Sequence, residues 1–219
     1  MLRPRALYQS TVGKKVIMAA TGLVLVGFVV LHVAGNLLVF QGADAMNAYA
    51  AFLKRDAAIL WAVRSVLLVS VILHIWSALE LTRAAYAARP VAYARKKSQA
   101  ATLMSRTMRV GGVVLLAFIV FHLLHFTTGT IRPAGFSEKN VYENVIHSFA
   151  IPWVAAVYIV GMIALGMHLA HGTWAAFRTL GFARPGAMPA RRRAAIAFGV
   201  IIWAGFTLSP VAVLAGLLT

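Results

Sequence analysis

The chain has 219 residues, of which 61% are apolar, a mean hydropathy of +0.82 and a net charge of +16. That composition excludes a soluble globular domain, which would be left with a sticky surface throughout. With no cysteine, disulfides, thiolate iron–sulfur ligation and cysteine catalysis are excluded for this chain too.

The first fifteen residues form a basic tail with Arg3, Arg5, Lys14 and Lys15. No cleavable signal peptide is expected, because the first apolar run is long enough to remain as a spanning helix. Span one is predicted over 16–40, ending near Gln41-Gly42, and a short polar connection follows over 43–56. Span two covers 57–81 and carries Arg64 near its start; in the long basic connection after it, Arg89-Pro90 reads as a helix stop. Span three covers 110–126, with a backward extension through Ser105, and leads into the polar segment 127–148. Span four covers 149–176, with Pro152 suited to its first turn, where a missing N–H costs little. A last basic loop leads to span five over 194–218, which Pro210 is expected to kink. Runs of about 20 apolar residues cross a bilayer, and only helices satisfy their backbone there. The expectation is an all-α membrane protein: one integral membrane domain over 1–219 with five transmembrane helices, the first four forming a bundle.

Lys and Arg number four in the tail, seven between spans two and three and five between spans four and five, against five on the opposite side. By the positive-inside rule the N-terminus is cytoplasmic and the C-terminus outside. The same distribution speaks against nucleic acid as a partner, since no folded domain carries a basic stripe. It suits anionic membrane lipid instead.

Histidines inside apolar spans are costly and face a cavity, a partner or a cofactor. Spans one and three run outward with His32 and His122 late in each; spans two and four run inward with His74 and His168 late in each. Two pairs at two depths follow, His32 with His122 outside and His74 with His168 inside. Facing histidines in a bundle hold a planar metallo-cofactor, and two axial imidazoles suit a low-spin haem b that carries electrons. Ten helical residues rise about 15 Å, so the residue ten before each histidine faces the other layer. Those residues are Gly22, Arg64, Gly112 and Tyr158. The glycines let a flat ring approach the backbone, while Arg64 suits a haem propionate or a quinone carbonyl. Plainer readings stand beside these: histidines as helix–helix hydrogen-bond partners, glycines as packing residues and Arg64 snorkelling to the headgroups.

The motifs Thr21-Gly22…His32-Val-Ala-Gly-Asn36, Asn47-Ala-Tyr49-Ala-Ala-Phe-Leu53, Leu73-His74, Ser105-Arg106-Thr-Met108, Phe121-His122-Leu-Leu-His125 and His168-Leu-Ala-His171-Gly172…Gly181 occur in order. With them the chain resembles the cytochrome b558 family, the di-haem membrane anchors of bacterial succinate:quinone oxidoreductases. The resemblance implies two haems b, four helices enclosing them and a fifth packed outside. It implies axial ligands at His32, His74, His122 and His168; the Gly-x9-His interval favours His122 over His125, and the interval to Gly181 favours His168 over His171. His125 and His171 are then candidates for propionate or quinone contacts. Ser105, Arg106 and Arg64 are the other candidates for cofactor or quinone contacts. The implied partners are a flavoprotein and an iron–sulfur subunit on the cytoplasmic face, with electrons passing to a quinone, menaquinone in this type of anchor. Oligomerisation of the complex is left open. The rival expectations are the same anchor in a fumarate reductase, a di-haem cytochrome b of another membrane dehydrogenase, and a haem-free anchor or transporter.

Overall fold

The computed structural model describes residues 9–88, 103–182, 186 and 188–219. Seven α-helices and no strand are found among them. Helix α1 (Thr11–Asn36) starts at Ser10, whose hydroxyl accepts from Gly13 N–H at 2.9 Å, a standard N-cap. It tightens into a 3₁₀ turn (Leu37–Gln41), and Gly42, at φ +95°, turns the chain into α2 (Ala43–Lys54). Asp56 caps α3 (Ala57–Ala87) by accepting from Ile59 N–H at 3.0 Å. Helix α4 (Leu103–His122) widens into a π turn (Leu123–Thr127). Helices α5 (Val141–Phe149), α6 (Pro152–Thr179) and α7 (Met188–Leu214) complete the chain. Five helical stretches are long and apolar enough to span a membrane: Thr11–Gln41, Ala57–Ala87, Met104–Thr127, Pro152–Thr179 and Met188–Leu214. The protein is a multi-pass membrane protein.

The polar connections are more ordered than their composition suggests. Most of 43–56 is α2, and 127–148 contains most of α5. A break at Ala150 and Ile151 sets α5 off from α6, so the fourth span starts at Pro152 rather than 149, with the proline in its first turn. Span two also runs six residues past 81, to Ala87. The charges near its end are paired: Glu80 accepts from Lys14 Nζ at 2.8 Å and from Arg83 Nη1 at 2.9 Å. The Arg89-Pro90 stop lies outside the described residues. Pro210 is buried inside α7.

The long helices pack in the order α3–α1–α6–α4, with α7 against α6 and also touching α1. The α6–α7 crossing is close because glycines meet there: a Cβ on Gly199 would lie 2.5 Å from the Gly166 carbonyl oxygen. Helices α2 and α5 pack together, so both connections share one end, here termed the capped end. Asn47 stitches them, its amide donating to Asn140 Oδ1 and its oxygen accepting from Tyr142 N–H, both at 3.0 Å. Below this cap Met46, Val145, Phe149, Val154, Tyr158 and Val213 form a buried core. At the opposite, basic end α1, α4 and α7 begin and α3 and α6 finish, and Glu80 near the end of α3 is the carboxylate described there. Large apolar side chains along α1, α3 and α4 are exposed, the surface a bilayer solvates.

Candidate cofactor layers

Four histidines of the spans come together as two pairs. His32 on α1 and His122 on α4 have ring centroids 5.8 Å apart, with planes crossing at 77°. His74 on α3 and His168 on α6 are 6.2 Å apart, at 57°. The first pair lies toward the capped end and the second toward the basic end, because each histidine is late in its own helix and neighbouring helices alternate in direction.

The residues ten positions earlier show how α1 and α6 serve both layers. Gly22 lies against His74: a Cβ there would be 3.2 Å from Cε1 and 3.5 Å from Nδ1 of that ring. Tyr158 lies against the other layer, its hydroxyl 3.3 Å from His122 Nδ1. Gly112 has open space where a side chain would stand, and its neighbour Gly111 lines a small cavity with Met104, Thr107, Met108, Met167 and His168. Arg64 does not reach the histidines with its charge; its guanidinium sits over the Trp61 ring at 5.0 Å, a cation–π contact. At the first turns of α4, Ser105 is half-buried and Arg106 exposed.

The ring nitrogens are not alike. His74 Nδ1 is 3.1 Å from the Met18 carbonyl oxygen. A carbonyl only accepts, so Nδ1 carries the proton and Nε2 keeps its lone pair. Thr21 Oγ1 stands 3.4 Å from the same nitrogen while donating to the Ile17 carbonyl at 2.7 Å. His168 Nδ1 is buried with no hydrogen-bond partner among the described residues. His32 is bracketed by Phe28, stacked at 5.1 Å, and by Phe206 of α7 at 5.6 Å. Asn36 donates to the His32 carbonyl at 2.8 Å, which places its amide 3.4 Å from Nδ1.

The two other histidines of the spans, His125 and His171, differ from each other. His125 is only 2% exposed, and both its nitrogens are engaged, Nδ1 with the Tyr158 hydroxyl and Nε2 with Ser148 Oγ, each at 3.0 Å. The π turn explains how His122 and His125 reach one tyrosine oxygen, since the wider turn alters the angle between residues three apart. His171 is half-buried one turn past His168. Two further positions carry no sequence signal. Ser148 belongs to another helix, and Gly161 matters only because Phe118, stacked 6.0 Å from His122, fills the space where its side chain would be.

No group of three or more His, Cys, Asp or Glu able to hold a metal ion occurs among the described residues. Each layer offers two imidazoles, a donor set for a planar metallo-cofactor that brings its own equatorial ligands. Two metal–imidazole bonds of about 2.0 Å and the half-width of each ring put axial ring centroids roughly 6 Å apart. The separations of 5.8 and 6.2 Å lie close to that value, and in spacing and donor type the two pairs suit such a group.

The family model for the succinate dehydrogenase/fumarate reductase transmembrane subunit matches residues 87–208. That is just over half of the chain; it contains His122 and His168 and lies beyond His32 and His74. No curated protein and no solved structure matches the chain. Five apolar spans and a family match from the end of α3 well into α7 lead to one conclusion: the chain belongs to the succinate dehydrogenase/fumarate reductase transmembrane subunit family.

Proposed function

We propose that the chain is the cytochrome b membrane anchor of a succinate:quinone oxidoreductase, with one haem b held by His32 and His122 and a second by His74 and His168. Family membership makes it a membrane subunit of an oxidoreductase complex that also contains flavoprotein and iron–sulfur subunits. The observation that carries the finer reading is the two imidazole pairs at 5.8 and 6.2 Å. Bound there, each haem supplies a reversible one-electron carrier between the iron–sulfur partner and a quinone, menaquinone in this reading.

The chain's own residues hold and orient. Met18 sets the tautomer of His74 through its carbonyl, and Gly22 leaves room for that ring. The basic end faces the cytoplasm, where its charge attracts complementary partner surfaces and anionic lipid. Ser105 and Arg106 stand at this end as the quinone-side candidates. His125 is withdrawn from that role, because both its nitrogens are already taken within the chain.

The test is a reduced-minus-oxidised spectrum of the purified complex with pyridine haemochrome quantitation. Two haems b per chain, reducible by succinate, support the reading, and His122→Ala should lose one while keeping the other. A complex without visible haem absorbance returns the histidines to helix packing. Assays with succinate and with fumarate set the direction.

A further inference from the structure

The polar contacts around the two layers differ in kind. At the basic end the proton on His74 Nδ1 is set by a backbone carbonyl. At the capped end the corresponding nitrogen of His122 meets a chain of side chains: Tyr158 hydroxyl at 3.3 Å, then His125 Nδ1 at 3.0 Å from the same oxygen, then Ser148 Oγ at 3.0 Å from His125 Nε2. His125 and Ser148 are 2% and 1% exposed and Tyr158 is 6% exposed, so water cannot substitute for the partners.

Such a chain has two self-consistent proton orders. In one, His122 Nδ1–H donates to the tyrosine oxygen, Tyr158 O–H donates to His125 Nδ1, and His125 Nε2–H donates to Ser148 Oγ. His122 Nε2 then keeps its lone pair. In the reverse order Ser148 donates to His125 Nε2, His125 Nδ1–H donates to Tyr158, and Tyr158 donates to His122 Nδ1. The proton of His122 would then sit on Nε2, the nitrogen needed as a ligand. Metal-ligating histidines characteristically donate their other N–H to a fixed acceptor, which orients the ring and raises its basicity.

We infer that Tyr158, His125 and Ser148 form a positioning relay that holds His122 as the Nδ1–H tautomer and raises the electron density it donates. The inference rests on the reading of His32 and His122 as ligands, and it gives His125 a task that the motif Phe121-His122-Leu-Leu-His125 does not reveal. A more electron-rich imidazole favours the oxidised metal, so weakening the relay moves the potential of that centre upward. The His74/His168 centre, with Nδ1 of His74 on a backbone carbonyl, is an internal control within one molecule.

The experiment is redox titration of both haems in the purified complex, for the unaltered chain, Tyr158→Phe and Ser148→Ala. Tyr158→Phe keeps the ring and removes the hydroxyl, leaving His122 Nδ1–H without its acceptor. The expected result is an upward shift of the capped-end centre by up to about tenfold in its oxidised-to-reduced ratio, ~59 mV for one electron. The basic-end centre should not move. Ser148→Ala, a small change at the far end of the relay, should shift the same centre in the same direction by less; it decides the matter if Tyr158→Phe does not assemble. Equal potentials in variant and unaltered chains, or equal shifts of both centres, overturn the relay while leaving two haems per chain intact. Absence of two haems from the unaltered complex overturns the relay together with the reading beneath it.

Discussion

Gly22 offers the sharpest perturbation, because its effect can be worked from distances. A Cβ there would stand 3.2 Å from His74 Cε1, whereas carbon–carbon contacts are optimal at about 3.5–4.0 Å. Gly22→Ala therefore asks the ring to retreat by roughly 0.3–0.8 Å. His74 Nδ1 is 3.1 Å from the Met18 carbonyl, so most of that retreat takes the hydrogen bond past its useful range. Overpacking and a weakened buried hydrogen bond together cost about 1–3 kcal/mol. Alanine should keep two haems per chain, with the basic-end centre altered in potential. Leucine adds two more carbon shells, roughly 2.5 Å of reach, and occupies the volume of the ring itself. Gly22→Leu should reduce haem from two per chain to one and spare the capped-end centre. Gly27, one and a half turns along α1, has nothing within 4 Å of the place a Cβ would take, so Gly27→Leu is the matched control and should change neither centre. Haemochrome quantitation and redox titration read all three variants. A Gly22→Leu complex with two centres at unaltered potentials would refute the close approach of α1 to His74.

Gly199→Ala should destabilise the α6–α7 crossing by about 1–3 kcal/mol, since the new methyl meets the Gly166 carbonyl at 2.5 Å and Ala170 Cβ at 2.9 Å. Thermal unfolding of the detergent-solubilised protein checks this, and an unchanged midpoint would contradict the tight crossing. Asn47→Ala removes both stitches between α2 and α5 and leaves a peptide N–H of Tyr142 unpaired, at about 1–3 kcal/mol. Faster proteolysis within 127–140, with haem content unchanged, is the expected outcome; equal cleavage rates would show that the cap does not depend on Asn47. His32→Ala should remove the same centre as His122→Ala, and spectra of the two variants that report different losses would break the pairing.

The five spans were legible because apolar run length and the placement of Lys and Arg are independent signals that agree. Helices α2 and α5 were not. Both are short, with Asp44 and Asn47 in one and Glu143 and Asn144 in the other, and their stability comes from contact with each other and with the core below rather than from a long apolar run. The extension of α3 to Ala87 was hidden for a similar reason, since the partner of Glu80 is Lys14, 66 residues away. At the layers, a helix acts as a ruler, so the ten-residue interval found Gly22 and Tyr158. It could not foresee where Arg64 points, since that long side chain lies over Trp61 of its own helix. The nitrogens' partners were out of reach of sequence: Met18 acts through its backbone, and the meeting of His125 with Tyr158 depends on a π turn that no residue type announces.

Each of α1 and α6 supplies a histidine to one layer and a wall residue to the other, ten positions apart. The distance between layers is therefore not freely adjustable. Inserting one residue between Gly22 and His32 would turn one end of α1 by about 100° and move it by about 1.5 Å, spoiling one layer whatever the other does. A change that keeps both faces in place must come in steps of about seven residues, roughly 10.5 Å, and must occur in all four helices at once. The bundle thus works as a gauge block: side chains can vary the properties of either layer, but the gap between them is locked to whole turns of the helix.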